Sequence, residues 1–380
     1  MLIYTPGPTE VPPRVLRRMA RGITNPDLDY NFPKFYEELQ GKLMKVMKTK
    51  NDVLVMSGEG FLGLEAAVAS LVKRGEKVLA ISNGVFGDGF ADLVKTYGGV
   101  PKLVGGPYDR PVSPEAVSAA LDADREIGVA TFVHCETPSG VLNPLKEVAR
   151  VCRDRGVMLV ADVVSSLGGV RVEVDEWGVD VALGASQKCF SAPPGLAIVS
   201  VSDRAWERVR ARRGSIPAYY ASLWQWNEWW KKRRQFPYTA SISDINALDE
   251  ALDMLLEEGL SRSFSRHRRI SRAVLAGTRA MGLEPYPKDD SYHSPTVTAL
   301  TKPAGVDADR LMRIMTDRQA VMIAGSWGKL SGKVLRLGNM GYNARPAPTL
   351  KALSALGSAL KESGYGVKGS GAARAREMLG

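Results

Sequence analysis

With 380 residues, 44% of them hydrophobic and 24% charged, the chain has the make-up of an ordinary globular protein of two domains, or of one large α/β domain with an appendage. It contains no apolar run long enough to span a bilayer. The start, Met1-Leu-Ile-Tyr-Thr-Pro-Gly-Pro8, lacks a basic and an apolar leader region, so a cytoplasmic protein is expected, not a membrane or exported one. The net charge of +10 is spread along amphipathic segments such as 204–213 and 262–272, with one dense run at Lys231-Lys-Arg-Arg234, which suits small anionic ligands better than nucleic acid.

Thr5-Pro-Gly-Pro-Thr9 reads as an extended lead-in. A short helix is expected over 14–21, and a longer one over 33–48 with Phe35, Leu39, Leu43, Val46 and Met47 on one face. From Asp52 strands and helices alternate: strand 53–56, helix 61–72, strand 77–81, helix 86–97 and a short strand near 102–104. A helix opened by Ser113-Pro-Glu115 follows, then strand 129–134, helix 144–155 and strand 158–161, with further strands over 179–183 and 196–201. These strands are continuous apolar runs, which marks a sheet covered on both faces, and their alternation with helices predicts a mostly parallel one. Ligands of such sheets lie beyond the carboxyl ends of the strands.

After Val201 the texture changes. The stretch 219–230 is rich in aromatics, and Phe236-Pro-Tyr-Thr239 reads as an exposed loop. A helical stretch over 244–281 breaks near Gly259. Strands near 296–300, 321–323 and 334–337 and helices over 307–316 and 349–363 then make an α+β unit. The expected division is an arm (1–20), a large domain (21–258), a small domain (259–365) and a small, basic, loosely held tail (366–380). The three cysteines, Cys135, Cys152 and Cys189, are odd in number and lack metal-ligand spacing, a pattern of reduced thiols without a metal site.

Three features carry chemistry. Lys188 lies in Ser186-Gln-Lys188, between two apolar strands and before Ala192-Pro-Pro-Gly195. It is either a lysine snorkelling from a strand end or a desolvated, nucleophilic amine. Ser57-Gly58-Glu59-Gly60-Phe61-Leu62-Gly63 links a strand to a helix and has the form of a phosphate loop, although Glu59 would repel a phosphate unless it points away. The next strand ends in Ser82-Asn-Gly84 without the acid a dinucleotide fold needs for its ribose, which disfavours a dehydrogenase. Asp162 ends a hydrophobic strand on the ligand edge, as a solvated strand end or as an anion facing a ring nitrogen.

Taken together, these stretches resemble the class V, fold-type I pyridoxal-phosphate aminotransferases, in the alanine–glyoxylate / serine–pyruvate branch. The resemblance runs from Thr5-Pro-Gly-Pro8 through Ser57-Gly-Glu-Gly60, Asn83-Gly-Val-Phe-Gly87, His134-Cys-Glu-Thr-Pro-Ser-Gly140, Asp162-Val-Val-Ser-Ser166 and Ser186-Gln-Lys188 to Val334-Leu-Arg-Leu-Gly338. It implies a seven-stranded, mostly parallel large domain, a smaller α+β domain and pyridoxal 5'-phosphate as cofactor. It makes Lys188 the Schiff-base lysine and Asp162 the partner of the ring nitrogen. Phe86 is then the stacking aromatic, Val164 packs on the other ring face, and Thr137 lies near the ring hydroxyl. Ser57, Gly58, Glu59, Gly60 and Gln187 surround the phosphate, reached by Thr239 from the neighbouring subunit of a homodimer. Phe236 stands where the family has a tyrosine. Arg336 grips the carboxylate of a small amino acid or 2-oxo acid, with Gly7 beside it. The implied reaction is a ping-pong transfer of nitrogen from alanine or serine to glyoxylate or pyruvate. A close rival is the branch that transaminates free pyridoxamine with pyruvate, to which Glu59 points and against which Gln187 stands. Cysteine desulfurases are disfavoured because no cysteine follows Cys189. A non-enzymatic basic binding protein is the rival of another class.

Overall fold

The continuous apolar runs line up side by side as one sheet. The computed structural model describes residues 1–380, and its seven-stranded sheet has the order Asp52–Ser57, Leu196–Val201, Val181–Ala185, Met158–Asp162, Val129–Val133, Lys77–Ser82, Val100–Gly105. Leu196–Val201 is antiparallel to both neighbours, and every other pairing is parallel. Four of the strands, Val129–Val133, Met158–Asp162, Val181–Ala185 and Leu196–Val201, are buried at every position, as expected of a sheet covered on both faces. Val100–Gly105 is one edge and is largely exposed, and Asp52–Ser57 is the other. The helices Gly60–Leu71 and Val85–Thr96 start at the ends of the strands before them, which aims their N-termini at one side of the sheet. Each aliphatic side chain fully buried in the core contributes roughly 1.5–3 kcal/mol, and the core includes Leu54, Val160, Leu183, Ile198 and Trp206.

A second core, with Tyr4, Ile270, Leu311, Leu335 and Leu356, belongs to the C-terminal half. The first residues join it, because Leu2–Ile3 pairs in parallel with Val321–Met322. Helices Ile242–Glu258 and Leu260–Ala280 part at Gly259, whose φ of 86° ends the first of them. In strand Val334–Leu337, Arg336 lies opposite Ala299 of Thr298–Thr301.

Two expectations are corrected. The tail is not loosely held: Gly371–Leu379 is a helix capped by Ser370, whose Oγ accepts from Ala373 N at 3.2 Å, with Ala375 and Leu379 buried. Nor is the segment from Phe236 an exposed loop throughout. Phe236 packs between Phe32, Tyr36 and Trp230, Pro237 is buried, and of the four residues only Thr239 is exposed. No helix is long and apolar enough to cross a membrane.

Candidate active site

Strand Val181–Ala185 delivers Lys188 into a turn built by its own backbone. Ser191 N–H donates to Lys188 O (3.0 Å), Ala192 N–H to Ser186 O (3.1 Å), and Ser186 Oγ to Pro193 O (2.6 Å). Ser191 takes a left-handed φ of 56°, and its Oγ accepts from Tyr342 N–H at 2.8 Å, so the C-terminal half clamps the turn. The N-terminal arm covers it from the other side. Lys188 Nζ donates to Pro6 O at 2.8 Å, and Gly7, at φ 113°, lies so close that a Cβ there would overlap the Nζ. Burial first, then the nearby Arg336 cation, pulls the amine down to about 8, while Asp162 pulls the other way. The amine is thus enclosed between the arm and the turn.

Asp162 is buried at the carboxyl end of its strand, and its Oδ1 accepts from Val164 N–H at 2.8 Å. Burial pushes the carboxyl up to about 6, against the pull of Lys188. Val164 lies against Gly60, where an added Cβ would come within 3.3 Å of its methyl group. Thr137 bonds through its hydroxyl to Ser165. Phe86 opens the helix Val85–Thr96 and meets the ring of Phe61 at 5.9 Å. Behind it sits Glu136, fully buried, whose oxygens accept from Gly87 N–H (2.7 Å) and Phe86 N–H (3.3 Å). Gly84 is required here because a Cβ would collide with the Glu136 carboxyl.

The Gly-rich loop differs from a phosphate cradle. Glu59 is the N-cap of helix Gly60–Leu71, and its Oε1 accepts from Phe61 N–H at 2.9 Å. Gln187 Nε2 donates to Glu59 Oε2 at 3.4 Å, and the buried Gln187 Oε1 has no partner. Gly58 N–H is spent on Gly195 O at 2.7 Å. Ser57 O and Oγ accept from Tyr220 OH (2.7 Å) and Ser241 N–H (3.1 Å). The expected loop residues do meet here, together with Gln187, but a carboxylate fills the helix mouth.

Arg336 is buried 97%, its exposure being 3%, and it donates to two carbonyl oxygens, of Gly325 and of Thr137 (3.5 Å). Burial pulls its guanidinium down to about 10. With Gly7 it lines a cavity of about 430 Å³. Thr239 stands exposed on the surface. Of the aromatics in 219–230, Trp226 is 1% exposed and part of the core, whereas Tyr219 and Tyr220 are open. Two residues near the site escape a reading of the chain alone. Glu136 lies within His134-Cys-Glu-Thr137, and its signal is a charge among residues that end a buried strand. Trp327, in Gly325-Ser-Trp-Gly328, is marked only by an aromatic between glycines.

A buried acid and an amine of lowered pKa thus lie at the carboxyl edge of a mostly parallel sheet, with a buried arginine that has no carboxylate partner. The family model for aminotransferase class-V matches residues 2–338, and the chain belongs to this family. It is 38% identical over 378 residues to an uncharacterized aminotransferase of Methanocaldococcus jannaschii, covering 100% of this chain and 97% of the relative. The crystal structure of pyridoxamine–pyruvate aminotransferase from Mesorhizobium loti superposes with a TM-score of 0.95 at 36% identity, over 100% of this chain and 97% of that one. An alanine–glyoxylate aminotransferase of Nostoc sp. superposes with a TM-score of 0.91 at 32% identity, over 94% and 95%. Class V aminotransferases and their fold-type I neighbours are pyridoxal-phosphate-dependent. Asp162, Val164, Phe86, Thr137 and Lys188 would hold the ring end of such a group, with the buried Asp162 carboxyl as the anion for its ring nitrogen. The phosphate end does not fit the helix mouth as it stands, because Glu59 occupies it.

Proposed function

We propose that the enzyme moves the amino group of free pyridoxamine to a small 2-oxo acid such as pyruvate, releasing pyridoxal and alanine. The observation that carries this reading is the Glu59 carboxylate at the start of helix Gly60–Leu71, with Gln187 turned onto it. Both groups left to meet a ligand, the Glu59 carboxylate and the orphaned Gln187 Oε1, are acceptors. A hydroxymethyl group can donate to them and a phosphate dianion cannot. Two like charges about 4 Å apart near a protein surface repel by about 4 kcal/mol, more than a single helix N-terminus returns. The similarity to pyridoxamine–pyruvate aminotransferase supports the same reading.

The chain's own groups then divide the work. Asp162, an anion in a buried setting, holds the proton on the ring nitrogen, and Phe86 and Val164 sandwich the ring. The B6 ring supplies the electron sink. Lys188, whose amine is about half neutral at pH 8, takes a proton from one reacting carbon and returns it to the other. Arg336 and Gly7 receive the oxo-acid carboxylate. Thr239, exposed on one protomer, supports a homodimer in which it completes the neighbouring site.

A second reading keeps pyridoxal 5'-phosphate resident, with alanine or serine as donor and glyoxylate or pyruvate as acceptor. Gln187, placed at the helix mouth, favours it, but Glu59 would have to leave. Comparing pyridoxamine with pyridoxamine 5'-phosphate as donor to pyruvate, and with L-alanine in the presence of pyridoxal 5'-phosphate and glyoxylate, separates them. Turnover confined to free pyridoxamine is expected. Turnover with the phosphorylated amine or with L-alanine alone would overturn the first reading.

A further inference from the structure

We infer that Trp327 is the wall that sets the length of the oxo-acid side chain. The indole belongs to the loop between Val321–Met322 and Val334–Leu337, yet it reaches the large domain. One face lies over the Arg336 guanidinium, 4.9 Å from its carbon, and its ring stands edge-on to Phe86 at 5.8 Å and 87°. The preceding Ser326 Oγ donates to Pro138 O at 2.9 Å in a buried bond, which fixes the loop against the large domain. Trp327 is therefore wedged between the side chain that stacks on the ring and the cation that holds the carboxylate.

Its burial does not explain its presence. The indole is 50% exposed, so it adds less to the core than a residue of its size could. It lines the cavity of about 430 Å³ that holds Arg336, Gly7, Met312, Met322 and Asp309. An acid held by its carboxylate on Arg336, with its reacting carbon at the ring, must send its remaining carbons past this indole. A longer side chain meets more of the indole than a short one does. Asp309, exposed at the rim, adds a like charge against any second carboxylate. Trp327 thus selects short monocarboxylic oxo acids and disfavours 2-oxoglutarate.

The inference rests on the transaminase reading in one respect, that Arg336 receives a 2-oxo acid. The test compares wild type, Trp327→Ala and Trp327→Phe with pyruvate, 2-oxohexanoate and 2-oxoglutarate, using whichever amino donor turns over. The donor that works decides the proposed function, whereas the ratio between acids tests Trp327 independently of it. Calorimetric titration with propanoate and hexanoate reads the same preference without turnover. Wild type is expected to favour the short acid at least tenfold in both measurements, Trp327→Ala to narrow this to within about twofold, and Trp327→Phe to stay near wild type. An unchanged ratio in Trp327→Ala, or an equal loss for short and long acids, would show a residue that only positions Arg336 and would overturn the inference.

Discussion

Gln187 Nε2 donates to Glu59 Oε2 at 3.4 Å across the start of helix Gly60–Leu71. The pair ties the turn that carries Lys188 to the loop where the family places its phosphate. Replacing Glu59 by Ser keeps an N-cap, so helix stability should change by no more than about 1 kcal/mol. It also removes the charge and frees Gln187. Glu59→Ser is expected to bind pyridoxal 5'-phosphate at least tenfold more tightly relative to pyridoxal than wild type does, as read by absorbance titration. An unchanged ratio would show that Glu59 does not discriminate.

Lys188 and Arg336 are coupled by charge. The Lys188 amine, drawn down to about 8 by burial and by Arg336, gains its proton as pH falls. The pH profile of kcat/KM, which reports the free enzyme, should therefore fall about tenfold per unit below this value. Removing the Arg336 charge should raise the lysine's pKa, so in Arg336→Gln this limb moves to higher pH while KM for pyruvate rises. A limb that stays in place would separate the two residues.

Gly7 lies against the Lys188 amine at a φ of 113°. In Gly7→Ala the added methyl must displace either the arm or the amine, and a displacement of about 1 Å costs on the order of 100-fold in rate. Activity should fall by that order with the helical circular dichroism retained. Full activity in Gly7→Ala would mean that the arm does not pack on the lysine.

Glu136 adds a pH term to stability. Burial pushes its carboxyl up to about 8, against hydrogen bonds from Gly87 and Phe86. Its folded pKa lies above the unfolded value near 4.3, so the folded state holds the extra proton between the two. Its contribution is then complete below the unfolded value and is lost as pH rises toward 8. Urea midpoints of Glu136→Gln should gain on wild type as pH is raised from 5 to 8. A difference that is flat with pH would contradict this. Since Glu136 also fixes the Gly84–Gly87 turn, the same variant is expected to bind the B6 ring less tightly through Phe86.

The buried strands were legible because their side chains face apolar neighbours on both sides, which leaves continuous runs such as 179–183 and 196–201. Lys188 and Asp162 stood out for the converse reason: each is a charge at the end of such a run. The helix Gly371–Leu379 was hidden by its small and basic composition, although Ser370, Ala375 and Leu379 carry a cap and an apolar face. Phe236 was misread because its burial depends on Phe32, Tyr36 and Trp230, all distant in the chain. The role of Glu136 is likewise non-local, since it depends on the missing side chain of Gly84. Which way Glu59 turns follows from the free N–H of Phe61 and the reach of Gln187, and neither is written in a spacing.

The central claim is that the Lys188 amine meets an unphosphorylated B6 ring. Borohydride reduction after incubation with equal concentrations of pyridoxal and pyridoxal 5'-phosphate, followed by peptide mass mapping, tests it most directly. The expected result is a pyridoxyl group on the peptide containing Lys188. An unmodified Lys188, or one carrying only the phosphorylated form, would contradict the account.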